Sequence, residues 1–196
     1  MLDAGKATQP FERISGSPDR FPTVADNFAR DSKIKHDGLL IGSNADGLSK
    51  PQRAYVQVFR NGVAESVASS LARGRGHDCL MLPQIQAMII KYTWIYSQSV
   101  SRAGIAGPFA INASLIGIKG MRLLQDFIGN ALPEDIPFAP MSDEMLRFDE
   151  AILETASTTY SECAISLRPL LTHLANAADL PSSPYFDSEG NYLLKL

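Results

Sequence analysis

The chain has 196 residues, of which 45% are hydrophobic and 20% are charged, and its formal net charge is −3. This composition is typical of a globular protein, and the slight acidity gives no overall attraction to the phosphates of a nucleic acid. The 2 cysteines are far apart, residues 1–10 lack the apolar core of a signal peptide, and no run approaches the roughly 20 apolar residues that span a bilayer. The sequence therefore predicts a soluble, cytoplasmic protein without a membrane partner.

The first part of the chain has no clear structural pattern. Residues 1–35 show neither helical nor strand periodicity, and we expect a flexible or partly docked tail there. Residues 36–196 are expected to form a single α+β domain, which starts with a buried strand at the apolar run from Gly38 to Gly42. Whether Met1 is a native start or the boundary of a fragment stays open.

The segment from Arg53 to Ser69 is the clearest structural signal. β-branched and aromatic residues precede Asn61 and Gly62, a pair that readily takes the positive φ angles of a type I′ turn. The pattern predicts a β-hairpin with a two-residue loop. That loop would place Val58 opposite Glu65.

Apolar residues at steps of three and four predict two long helices. The first begins near Pro83 and ends at Gly104, a length of about five to six turns. The second begins at a capping box formed by Thr159 and Glu162. Pro169 inside it predicts either a kink or a later true start, because proline lacks the backbone donor.

The rest of the chain reads mostly as strands. Residues 109–118 alternate between two faces, with the side chains of 109, 111, 113 and 115 on one of them. A further strand is possible at 123–127, and residues 145–153 fit either a strand or a short helix. Together these elements predict an α+β fold with a mostly antiparallel sheet of about five strands and two long helices packed on it.

Two glycine-containing loops are candidate nucleic-acid contacts. The segment from Gly117 to Gly120, with Lys119 and the following Arg122, resembles the GXXG loop of KH domains. The strand-like residues before it favour a tight glycine turn between strands instead. Arg73 and Arg75 lie in a second loop, for which a solvated surface loop is the favoured interpretation because two arginines neutralise few phosphates.

The remaining reactive residues do not form a known catalytic pattern. Neither a phosphate-binding loop nor a nucleophile elbow is present, and the segment from His77 to Cys79 lacks the further ligands that zinc needs. Two acidic pairs indicate a solvated face, and two histidines stand alone in the pattern. These residues are Asp143, Glu144, Asp149, Glu150, His36 and His173. We expect no enzymatic activity, no metal and no cofactor.

Several segments, taken in order, point to a family. They are His36 to Leu40, Arg53 to Gly62, Ser114 to Gly120, Leu167 to Leu171, and Ser183 to Asp187 with Gly190. Their order resembles the carboxy-terminal region of bacterial proteins described as having a Schlafen/AlbA-type DNA-binding or ATP-binding domain. The similarity covers residues 31–196 and does not include the AlbA-like domain itself. The resemblance implies an accessory or sensory module and transfers no catalytic or binding residue.

The leading hypothesis is therefore a non-enzymatic accessory, regulatory or protein-interaction domain, whose partner is another protein domain or a second copy of the chain. The alternative is a nucleic-acid-binding accessory module that uses Lys119, Arg122, Arg73 and Arg75. A third hypothesis is an enzyme whose pocket leaves no sequence pattern.

Overall fold

The computed structural model describes residues 31–42, 54–69, 79–125 and 139–194, which contain ten strands and three helices. The strands are β1 (Asp31–Ile34), β2 (Gly38–Gly42), β3 (Ala54–Phe59), β4 (Ala64–Ala68), β5 (Cys79–Met81), β6 (Phe109–Ile111), β7 (Ser114–Ile116), β8 (Arg122–Leu124), β9 (Met145–Arg147) and β10 (Ala151–Leu153). The helices are α1 (Leu82–Arg102), α2 (Tyr160–Ser166) and α3 (Arg168–Asn176). The predicted α+β class is confirmed.

The described residues divide into two compact units. The first unit contains residues 31–42, 54–69 and 92–107, and the second contains residues 79–91, 108–125 and 139–194. The long helix α1 contributes its first part, up to Lys91, to the second unit and the rest to the first.

The first unit contains a four-stranded antiparallel sheet in the order β1-β2-β3-β4. Leu39 pairs with Val58 and Ile41 with Val56, and all four side chains are buried on one face. In the same unit, helix residues that recur every three or four positions are also buried, among them Tyr96. The strand β1 belongs to this sheet, although its sequence lies in the stretch expected to be a tail.

The hairpin of β3 and β4 is present, but its predicted register is wrong by one residue. Val58 lies opposite Ala64, not Glu65. The amide of Phe59 donates to the Val63 carbonyl at 2.8 Å, which closes a three-residue loop over 60–62. Gly62 has φ of 91°, so it takes the left-handed position that commonly ends such a loop. The Asn-Gly pair is compatible with both loop lengths, and this explains the error.

The second unit contains a long two-stranded ribbon, which we define as residues 109–116 paired with residues 145–153. Ile116 lies opposite Met145, and Phe109 lies opposite Leu153. Between these pairs, residues 112–113 face residues 148–150, so the second strand has one extra residue, a β-bulge. The alternation predicted for the first strand is confirmed by burial, since 110, 112, 114 and 116 are exposed and the intervening positions are not.

The bulge accounts for the uncertain prediction at residues 145–153. Side chains at 146 and 148 are covered before the bulge, and those at 151 and 153 are buried after it, so the period-two pattern changes phase at 149–150. A pattern read at a constant period cannot follow such a change. The segment is two short strands and contains no helix.

The prediction of one sheet with two long helices is wrong in detail. Besides the four-stranded sheet, the described residues form three two-stranded pairs. Two of them, β6 with β10 and β7 with β9, make up the ribbon, and the third, β5 with β8, is parallel. The predicted helix α1 is confirmed and is followed by Gly104 at φ of 97°. The second predicted helix is two short ones, because Leu167 takes φ of −86° and ψ of 0°, and Pro169 then occupies the first turn of α3.

The apolar faces of α2 and α3 form much of the core of the second unit. They are fully buried at Cys163, Ala164, Leu167, Leu170, Leu171, Leu174 and Ala175. The inner face of the ribbon is also buried at Leu115, Phe148 and Leu153, and α2 contacts β10. The ribbon and this helix pair therefore hold each other in place, and the loops at their edges are positioned by that packing.

Candidate functional site

The predicted basic residues are only partly placed by the structure. Lys119 is exposed in the turn between β7 and β8, and Arg122 is half-buried at the start of β8. Arg73 and Arg75 lie outside the described residues. The structure therefore does not assemble these four side chains into one described surface.

The turn from Gly117 to Gly120 is a closed glycine turn between strands. Both glycines have positive φ, 72° and 80°. The amides of Gly117 and Ile118 donate to the Glu144 carbonyl at 2.8 and 3.3 Å, and the Gly120 amide donates to Met141 at 2.8 Å. Because these donors are used internally, the turn does not offer them to a phosphate backbone, and it differs from a KH loop between two helices.

The other candidates from the sequence remain separate. His77 and Asp78 lie outside the described residues, whereas Cys79 is buried. Within the described ranges, no group of three or more histidine, cysteine, aspartate or glutamate side chains could hold a metal ion. The two acidic pairs, Asp143 with Glu144 and Asp149 with Glu150, are all exposed, as a solvated face would be.

An exposed apolar surface lies on the outer face of the ribbon. We define this face as Ala110, Asn112, Ser114, Ile116, Met145, Arg147 and Ile152. Ile116 is 73% exposed and its cross-strand partner Met145 is 40% exposed. Ile152 is 45% exposed further along the same ribbon. Directly opposed residues of an antiparallel pair have Cβ atoms about 4.5–5.5 Å apart, so the first two form one continuous apolar patch.

A second candidate is an open depression of about 590 Å³, which we call the α3 groove. Its lining includes Asp149, Ile165, Arg168, Thr172, His173 and Asn176. Four of them, Ile165, Arg168, Thr172 and Asn176, recur at steps of three and four along the α2–α3 pair, and His173 is next to Thr172. The groove combines an apolar side chain, hydrogen-bond donors and a single carboxylate.

His173 and Asp149 are in contact within this groove. The Asp149 amide donates to His173 Nδ1 at 3.2 Å, which assigns the proton of the neutral ring to Nε2. Asp149 Oδ2 lies 3.3 Å from the same Nδ1 and can accept from it when the ring is protonated. Nε2 carries a proton both in this neutral form of the ring and in the protonated form. No described residue provides a hydrogen-bond acceptor for that proton.

Arg168 lines the groove, and its guanidinium stacks on an aromatic ring outside the lining. Its guanidinium carbon lies 5.2 Å from the centre of the Phe186 ring, a cation–π contact. A Cβ atom at Gly190 would lie 3.2 Å from Arg168 Nη1, so the glycine leaves room for the guanidinium. Within the described part of the chain, no carboxylate pairs with this arginine.

The sequence did not indicate the α3 groove. His173 and Asp149 are 24 positions apart and come together because the bulge at 148–150 packs against α3. The polar stripe of α3, with Arg168, Thr172 and Asn176 at steps of four, was the only available signal. It does not differ from an ordinary solvated helix face.

No protein-family model, curated protein or solved structure matches this chain. None of the helices in the described ranges has the length and apolar character needed to cross a membrane. A functional proposal must therefore come from the geometry of the chain's own residues.

Proposed function

We propose that this chain is a non-enzymatic protein-interaction domain, which binds another protein domain or a second copy of itself through the outer face of the ribbon. The observation that carries the proposal is the exposure of Ile116 and Met145 as cross-strand neighbours. Removing such a pair from water on binding is favourable by about 25 cal/mol for each Å² of apolar surface. Single exposed apolar residues are common, whereas contiguous exposed apolar surface marks contact sites.

The surroundings of this pair also suit a protein contact. Arg147, an exposed residue of a type enriched in interfaces, lies on the same face opposite Ser114. The inner side of the ribbon is buried at Leu115 and Phe148, so little of the backbone must be ordered on binding. An accessory role of this kind is also what the sequence resemblance to the carboxy-terminal region of Schlafen/AlbA-type proteins implies.

Nucleic-acid binding is the less supported alternative. Lys119 is exposed near one end of the ribbon, but the neighbouring turn amides are already hydrogen-bonded and Arg122 is half-buried. Phosphate binding would appear as a salt-dependent anisotropy change with a labelled oligonucleotide, whereas the proposed domain gives none at low salt.

The decisive experiment places a photo-crosslinking amino acid at position 116 and, as a control, at the exposed polar position Ser161 of α2. Sedimentation of the purified protein across concentrations detects a second copy, and crosslinking in the native host detects another partner. We expect one of these signals from position 116. Self-association should be lost in the double variant Ile116→Ser, Met145→Ser, and crosslinking from position 116 should be lost when Met145→Ser is combined with the photo-crosslinking residue. A monomer that crosslinks no more at 116 than at 161 contradicts the proposal, and so does turnover of a nucleotide or ester abolished by one point mutation.

A further inference from the structure

The α3 groove has features of a small-molecule site, and these are independent of the outer face of the ribbon. We propose that the groove binds the oxyanion of a small organic phosphate or carboxylate, with Arg168 as the principal anion-binding residue and Ile165 as the contact for the apolar part of the ligand. This inference goes beyond the proposed interaction function. It depends on three properties of the described residues: a fixed cation, an uncommitted donor and an adjacent apolar surface.

The fixed cation is Arg168. Its guanidinium is stacked on the Phe186 ring at 5.2 Å, and no described carboxylate neutralises it. A planar guanidinium offers paired N–H groups that match the oxygens of carboxylates and phosphates, and stacking reduces the conformational freedom that binding would otherwise remove. An arginine that lines an open depression and carries no described carboxylate partner is suited to bind an anion.

The uncommitted donor is His173. Its Nδ1 lies 3.2 Å from the Asp149 amide nitrogen and 3.3 Å from Asp149 Oδ2. These two contacts set the orientation of the ring. Its Nε2–H therefore stays available to an acceptor in the groove. Thr172 adds a hydroxyl to the same lining. Two kinds of neutral donor thus accompany the guanidinium, and they suit a ligand with several acceptor oxygens.

The acidic and apolar residues limit what the ligand can be. Asp149 is 78% exposed and contributes a negative charge on the Nδ1 side of His173, so it opposes a large polyanion and favours a ligand with a single anionic group. Ile165 is 46% exposed and lines the groove beside Arg168. A ligand with one oxyanion and a compact apolar body matches both features.

The test is an NMR titration of the whole chain with four probes: inorganic phosphate, phenyl phosphate, acetate and benzoate. The side-chain N–H signals of Arg168 and His173 are followed. We expect the aromatic probes to bind more tightly than the corresponding inorganic or short probes. Comparison of phenyl phosphate with benzoate shows which oxyanion is preferred, and a preference for either supports the site.

The variants separate binding from folding. Arg168→Ala should weaken phenyl phosphate or benzoate binding by about tenfold or more, because a charge-assisted pair is lost. Arg168→Lys, which keeps the charge without the planar fork, should give an intermediate loss. Ile165→Ser should leave inorganic phosphate binding unchanged and remove the advantage of the aromatic probes. Asp149→Asn should tighten anion binding, an effect that a purely structural role would not produce.

The matched control is Arg102→Ala, an exposed arginine at the end of α1 and outside both the groove and the outer face of the ribbon, which should bind every probe as the unmodified protein does. If Arg168→Ala does not fold, the Arg168→Lys and Ile165→Ser variants decide the result. The proposal is overturned if no probe shifts the signals of α3, or if the Arg168 variants bind the probes with the affinity of the unmodified protein.

Discussion

Gln86 is a polar residue in the core of the second unit, and its surroundings explain why it is tolerated there. Its side chain is 0% exposed. Nε2 donates to the Leu171 carbonyl at 3.2 Å, and Oε1 accepts from the Ser183 hydroxyl at 2.8 Å. A buried amide with both ends hydrogen-bonded costs little, whereas leaving its partners unsatisfied is expensive. Gln86 therefore ties α1 to α3 and to the C-terminal segment.

We predict that Gln86→Met lowers the free energy of unfolding by about 1–3 kcal/mol, because the new side chain keeps the volume but removes the donor to the Leu171 carbonyl and the acceptor of the buried Ser183 hydroxyl. Urea unfolding at constant pH measures the change as a lower midpoint at unchanged slope. Gln84→Met is the matched control, since Gln84 lies two positions earlier on the same helix and is only half-buried. Equal effects of the two substitutions would contradict the role assigned to Gln86.

Among the elements, the start of α2 is stabilised by reciprocal side-chain hydrogen bonds. Thr159 accepts from the Glu162 amide at 3.2 Å, and the Glu162 carboxylate accepts from the Thr159 amide at 3.2 Å, the reciprocal pair of a capping box. The carboxylate also accepts from the Thr158 hydroxyl at 2.7 Å and from its amide at 2.9 Å. The bond from the Thr158 side chain is the main cause that lowers the pKa of Glu162, and the backbone donors add to it.

This lowered pKa predicts a pH-dependent contribution of Glu162 to stability. The unfolded state binds the proton at higher pH than the folded state, so the contribution is present above the unfolded pKa and is lost as the pH falls through the folded one. We expect the difference in unfolding midpoint between the unmodified protein and Glu162→Gln to be largest near neutral pH and to shrink at about pH 3. Thermal unfolding at both pH values measures it. Glu154→Gln, an exposed carboxylate before α2, is the control and should show no such change, and a difference for Glu162→Gln that is independent of pH contradicts the assignment.

Elements also show where sequence patterns are sufficient and where they fail. The sequence correctly predicts the capping box at Thr159 and the break at Pro169, because each feature depends on residues within one or two turns. The predicted hairpin loop is one residue too short, because Gly62 at positive φ suits both a two-residue and a three-residue loop. The sequence does not predict the bulge at 148–150, since the bulge depends on pairing with residues more than 30 positions away.

At the scale of the whole molecule, both cysteines can report on opening of the second unit. Cys79 and Cys163 are buried thiols. Burial raises the pKa of the Cys163 thiol to about 12, so very little reactive thiolate is present in the folded protein. Reaction therefore requires exposure of the thiol to solvent, and labelling rates follow the free energy of opening.

We predict that both thiols of the folded protein react with a disulfide reagent at about pH 8 at least about a hundredfold more slowly than in denaturant. The absorbance of the thiolate released from the reagent, followed over time, measures the reaction rate. In the variant Cys79→Ala the remaining absorbance change belongs to Cys163. Immediate reaction of one thiol in the absence of denaturant would contradict the burial of that residue.

The sequence alone determined the features that depend on neighbouring residues: the long helix α1, the hairpin, the alternating faces of residues 109–116, the capping box and the α+β class. Local sterics and apolar periodicity are sufficient for these. Only the tertiary structure decided the division into small sheets, the bulge, the contact between His173 and Asp149, and the satisfied burial of Gln86. Each of these depends on residues distant in the chain, whose meeting is set by packing and leaves no local pattern.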